Sequence, residues 1–156
     1  VSSCTSSTKE QTNASVAVVE KYKAAIQSKN YAAMDSLLAD NYMGYGPSTI
    51  DSTNKAGALE NWKNNAENLY ESIEFSQVQN LPVVIEENTE GMAAGNWVSS
   101  WSLATIKYKD GRGPVQLWVN VEYKIENGKI VYTRTFYDEA DVLRQLNYSI
   151  EPAAAE

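Results

Sequence analysis

The spacing of apolar positions changes half-way along this chain. From Ser15 onward Val16, Val19, Tyr22 or Lys23, and Ile26 recur every three to four residues, as on one face of a helix. The polar "SKN" at residues 28–30 closes it. A short second helix is predicted in "YAAMDSLLA", with Met34, Leu37 and Leu38 inward. "DNYMGYGPSTIDS", which contains Gly44, Gly46 and Pro47, reads as a brief extended segment and a turn. A third helix is expected over residues 54–70, where Leu59, Trp62, Ala66 and Leu69 share a face. Beyond it the pattern alternates. "IEFSQVQNLPVVIEE", "MAAGNWVSSWSLATIKYK", "PVQLWVNVEYKIE" and "KIVYTRTFY" are rich in β-branched and aromatic residues and are separated by "NTEG", "DGRG" and "NGK" turns, which predicts an antiparallel meander. "DEADVLRQL" then forms a short terminal helix. Helices followed by a curved sheet give an α+β fold with the helices on one face of the sheet.

Residues 1–14 carry Ser and Thr with no apolar period and are expected to be a flexible tether. Residues 15–149 form the folded domain, and "EPAAAE" within residues 150–156 reads as a disordered tail. A chain of 156 residues fits one ordinary domain. Its 13 basic against 20 acidic residues, formally −7, oppose binding to nucleic acid or to an anionic membrane surface. The chain has no histidine. That excludes Ser-His or Cys-His nucleophile pairs, a histidine general base and His-ligated zinc or iron. No metal site or cofactor is expected: Glu86, Glu87 and Glu90 lack the spacing of a calcium loop, and no helix follows "DGRG" to bind phosphate.

The single cysteine, Cys4, stands in "VSSC" ahead of a polar stretch. This resembles the end of a bacterial lipoprotein signal, which implies a lipidated Cys4 and an extracytoplasmic, membrane-anchored protein; the alternative is a free thiol in a tail. With no run of about 18 apolar residues, the anchor would be the one route to a membrane.

Three signatures, "LLADNYMGYGP", "ENGKI" and "TRTFYDEADVLRQL", resemble the SnoaL-like branch of the nuclear transport factor 2-like superfamily. The resemblance spans about residues 15–148 and implies a cone: N-terminal helices packed on a strongly curved, mixed or antiparallel sheet. This scaffold hosts isomerases, cyclases, dehydratases, epoxide hydrolases and binding modules, so the site has to decide the function. In the family's enzymes, catalysis depends on carboxylates that point into the cone. By resemblance, the epoxide hydrolase acid falls on Thr135, which cannot take a proton from water at neutral pH. The ketosteroid isomerase base falls on Gly46, immediately before Pro47. The hydrolases' middle-strand charges fall in "WVSSWSLA", which has serines but no charge.

Asp138 ends a strand and opens "EADVLRQL". It is either a helix cap, with Glu139 and Asp141 beside the positive end of the helix and Arg144 near the other, or a catalytic acid; the cap is the expectation. In the last strand Val131, Thr133, Thr135 and Tyr137 are assigned to the cone, and Ile130, Tyr132, Arg134 and Phe136 to the outer face. Candidate pocket residues are Tyr42, Tyr45, Leu59, Trp62, Leu117, Val119, Val121, Thr133, Thr135 and Tyr137. Together they would suit a small, mostly apolar molecule, unless the tyrosines simply fill the cone as core. Trp97, Trp101, Trp118 and Phe136 form a candidate homodimer face, as members of the superfamily often dimerise through the outer sheet face.

Three functions therefore compete. The first is a non-catalytic small-molecule-binding domain. The second is a cyclase, isomerase or dehydratase using Tyr45 and Tyr137 with an inward acid such as Asp40. The third is an interaction module built on the tryptophan face.

Overall fold

The computed structural model describes residues 3–149 and 151. Helix α1, Ser3–Gln27, lies across a six-stranded sheet. Its inward stripe is Ser15, Val18, Val19, Tyr22, Lys23, Ala25 and Ile26, all buried, at helical spacing. The helix therefore begins well before Ser15, where a tether was expected. Packing does begin at Ser15: positions 9–14 are largely exposed. Once the packed part is nucleated, each further residue adds one backbone hydrogen bond for one residue ordered, so extension toward the N-terminus costs little. The side chains of residues 1–8, and with them the lipidation expected at Cys4, lie outside the description, as does the tail apart from Glu151.

Lys29, at φ 54°, ends α1 in a left-handed turn, and Asn30 N–H donates to the Ala25 carbonyl (2.9 Å). Asn30 then caps α2, Tyr31–Leu37, its Oδ1 accepting from Ala33 N–H at 3.0 Å. Strand β1, Leu38–Tyr45, follows without a loop, and β2, Ser52–Asn54, pairs back on it. Asn54 caps α3, Lys55–Asn64. The third helix is shorter than expected: after Asn64 a wider π-helical turn, Asn65–Leu69, rotates the chain into β3. The apolar face therefore breaks. Ala58 is buried, whereas Leu69 is exposed.

Strands β3 (Tyr70–Ile85), β4 (Gly95–Tyr108), β5 (Val115–Glu126) and β6 (Lys129–Phe136) form the expected antiparallel meander. β1 joins its far edge parallel to β6, giving the order β2-β1-β6-β5-β4-β3 and a mixed sheet. Pro82 sits on β3, an edge strand, where a missing N–H is tolerated. Asn127 and Gly128 both have positive φ, as a tight two-residue hairpin turn requires. The register slips at Ile125 and Ile130. That bulge turns Ile130 into the core at 0 % exposure, so its assignment to the outer face does not hold. Helix α4, Glu139–Gln145, closes the chain. Asp138 Oδ1 accepts from Asp141 N–H at 2.9 Å and Arg144 approaches at 3.6 Å, which is the geometry of a cap.

Candidate functional site

Between α1 and the concave face of the sheet lies a cavity of about 300 Å³. β5 supplies its apolar wall. Leu117, Val119, Val121 and Tyr123 alternate with outward residues, so period two directs all four into the cone. Thr133 and Thr135 continue this floor on β6, while Ser102, Ala104 and Ile106 do so on β4. Trp62 and Tyr137 flank the cavity. Of the ten candidate pocket residues, eight line the cavity: Tyr42, Trp62, Leu117, Val119, Val121, Thr133, Thr135 and Tyr137.

Tyr45 does not line it. Tyr42 points inward on β1, and a residue three positions later on a strand must face the other way. Tyr45 instead packs on Tyr132, with ring centroids 5.4 Å apart, and beneath the Arg134 guanidinium. Leu59 is also displaced: α3 directs Ala58 and Trp62 inward, and Leu59 borders a shallow outer hollow with Lys55, Asp35 and Asp40. Asp40 is itself 97 % exposed and pairs with Lys55 at 3.3 Å. It is thus no inward acid. Asp138 is likewise absent from the lining.

The residue missed as a site group is Lys23. Helical spacing left Tyr22 and Lys23 as alternatives for one inward position, and the structure buries both, at 4 % and 5 % exposure. Lys23 is the one charged side chain among the described residues lining the cavity. Its Nζ donates to Ser102 Oγ at 3.0 Å and stands 5.2 Å from the centre of the Phe75 ring. No carboxylate pairs with it among the described residues. Burial lowers its pKa to about 8.

The other polar groups are phenols. Tyr42 shares a 2.6 Å hydrogen bond with Thr133 Oγ1. Gly44 carries no side chain because the Tyr42 hydroxyl occupies the space a Cβ would need. Burial is the main cause raising the pKa of Tyr22, Tyr42 and Tyr123, and it pushes Tyr70 up to about 12. These hydroxyls stay neutral at physiological pH and can donate or accept.

On the convex side Trp101, Trp118 and Phe136 are 45 %, 51 % and 48 % exposed, with Leu81 and Val83 further along the same face. Asn120 sits among them; with its amide oriented to satisfy its neighbours, the oxygen accepts from Trp101 Nε1 (3.1 Å) and the nitrogen donates to Glu122 Oε1 (3.0 Å). Trp97 lies on the same face by register but is covered, so it offers no exposed surface there. It is 7 % exposed, packs edge-on to Tyr132 at 5.5 Å and donates to the Ala93 carbonyl at 2.9 Å.

A sequence model of SnoaL-like polyketide cyclases matches residues 16–146. The chain belongs to this family. Solved structures of similar fold include a proposed polyketide cyclase of Xanthomonas campestris pv. campestris, at 13 % identity and TM-score 0.68, covering 87 % of this chain and 98 % of the other. IdmH, a proposed polyketide cyclase of Streptomyces antibioticus, is 18 % identical, with TM-score 0.64 over 85 % of this chain and 98 % of its own. An LEH-like epoxide hydrolase of M. tuberculosis is 16 % identical, with TM-score 0.60 over 87 % and 91 %. No curated protein matches the chain. At these identities the likeness is one of fold. This SnoaL-like domain therefore has the nuclear transport factor 2-like cone that its sequence resembles. Its function rests on its own lining.

Proposed function

We propose that this SnoaL-like domain binds a small, mostly apolar molecule in its cone without transforming it. The supporting observation is the lining itself: a cavity of about 300 Å³ walled by aliphatic and tyrosyl side chains, with no carboxylate among its described residues. Thr135 occupies the floor where the resemblance would put an acid, and Gly46 lies outside the lining, beside Asp51. Acid–base work by paired carboxylates has no candidates there. Native mass spectrometry of the full chain is expected to show a small molecule retained under gentle conditions and released on unfolding. A bare chain that also fails to take up neutral aromatic probes would overturn the reading in favour of a filled core.

The convex face supports a second part of the proposal, a homodimer. Three aromatic side chains about half exposed on one sheet face would leave a large apolar patch in water, and interface cores favour such residues. Light scattering should give about twice the 17.3 kDa chain mass. Trp118→Glu should shift this to the monomer; a wild-type monomer at micromolar concentration would end the proposal.

A further inference from the structure

Among the described residues, the ammonium in the cone has no counter-charge. Lys23 is 5 % exposed, lines the cavity and has no carboxylate partner among the described residues. A buried cation in an apolar setting is costly unless it is paired, and the partners present are one hydroxyl and one aromatic face. Its position is defined. Ser102 on β4 lies directly opposite Val119 on β5, so the hydrogen bond to Ser102 holds the ammonium over the middle of the apolar floor. Lys23 uses one of its three donors on Ser102 Oγ. Because Ser102 accepts that bond, its own O–H remains able to donate.

We propose that the cone is a site for an amphipathic monocarboxylate, its carboxylate received by Lys23 Nζ and Ser102 Oγ and its apolar body lying along Leu117, Val119 and Val121. This rests on the reading of the cone as a ligand cavity. A monoanion restores local neutrality against one ammonium, whereas a phosphate dianion would leave excess charge in a cavity with no second cation among its described lining residues. Two charge-assisted donors converging on one point suit the two oxygens of a carboxylate. The apolar floor on either side of Ser102 selects a hydrophobic body over a small hydrophilic acid.

The pH dependence follows from the groups facing the ammonium. The phenols of Tyr22, Tyr42, Tyr70, Tyr108, Tyr123 and Tyr137 around the cavity all have raised pKa values, so none ionises between pH 7 and 9.5. Glu139 and Asp51 are the carboxylates that act on Tyr137. Lys23 is left as the group whose charge changes there.

The test is calorimetric titration of the full chain with naphthalene-2-carboxylate, 4-phenylbutyrate and decanoate, each against its uncharged primary amide. At pH 7 at least one acid is expected to bind at least tenfold tighter than its amide. That preference should shrink about tenfold or more by pH 9.5, as the ammonium loses its proton. Lys23→Met should abolish both the preference and its pH dependence while keeping amide binding, which also shows that the variant is folded. Ser102→Ala should reduce the preference in part. Equal binding of acid and amide by the wild type, or a preference that survives in Lys23→Met, would overturn the carboxylate site and leave the cavity reading standing. If no acid and no amide bind, both readings fall.

Discussion

Lys23→Met is expected to stabilise the ligand-free domain by about 3 kcal/mol at pH 7. An unfolded chain holds the lysine at its ordinary pKa of 10.5, whereas burial lowers it to about 8 in the fold. Below pH 8 the ammonium is charged in both states, and the fold bears the whole cost of burying it. That cost corresponds to about 3 kcal/mol for a gap of this size. Between pH 8 and 10.5 the unfolded chain binds more protons than the folded one, so wild-type stability rises with pH across this window. Methionine has a similar length and no charge, so Lys23→Met should lose that rise. The buried tyrosines act in the opposite direction. Their folded pKa values lie above the ordinary 10.0, so the unfolded state ionises first and stability falls as pH climbs past 10 in both proteins. Urea titrations at pH 7, 8, 9 and 10 would read the effect. A variant no more stable than wild type at pH 7 would mean that Ser102 and Phe75 already offset the cost of burial, or that the cone retains an anion.

Met34→Ala should cost about 3 kcal/mol and lower the melting temperature by about 10 °C. Helix α2 has seven residues, too few to be stable alone, so tertiary packing must hold it. Met34 is 0 % exposed and borders a void of about 10 Å³ with Ile26, Tyr31, Trp62 and Ile73. Truncation to alanine would enlarge that void, with aromatic and aliphatic walls that cannot readily collapse onto it. Met34→Leu, which keeps most of the volume, should cost under about 1.5 kcal/mol. A loss below about 1 kcal/mol for Met34→Ala, measured by thermal and urea unfolding, would show that α2 is held elsewhere.

Much of the site was legible in the pattern of residues, for identifiable reasons. Leu117, Val119 and Val121 alternate strictly on a central strand, and the same rule extended two positions places Tyr123 beside them. Asp138 was readable as a cap because an acid between a strand and a helical run meets unpaired backbone N–H groups. The errors have equally specific causes. Tyr42 and Tyr45 were both assigned to the pocket although strand parity separates them. Trp97 was grouped with Trp101 and Trp118 by parity, but Tyr132 covers it. The bulge beside Ile130 carries no marker in "KIVYT", so the inward turn of Ile130 could not be read from alternation.

Local pattern alone set the order and type of most elements, the NG hairpin, the cap at Asp138 and the apolar wall of β5. These depend on interactions within a few residues, where helix and strand periods and backbone hydrogen-bond needs leave few options. Long-range packing was needed to make β1 run parallel to β6, to turn the end of α3 into a π-helical turn, and to bring Lys23 to Ser102, 79 residues further along the chain. A period fixes which side of an element a residue occupies, but not which distant element will face it. The solvation of the lysine, and with it the charge that defines the cone, arises only when α1 closes over the sheet.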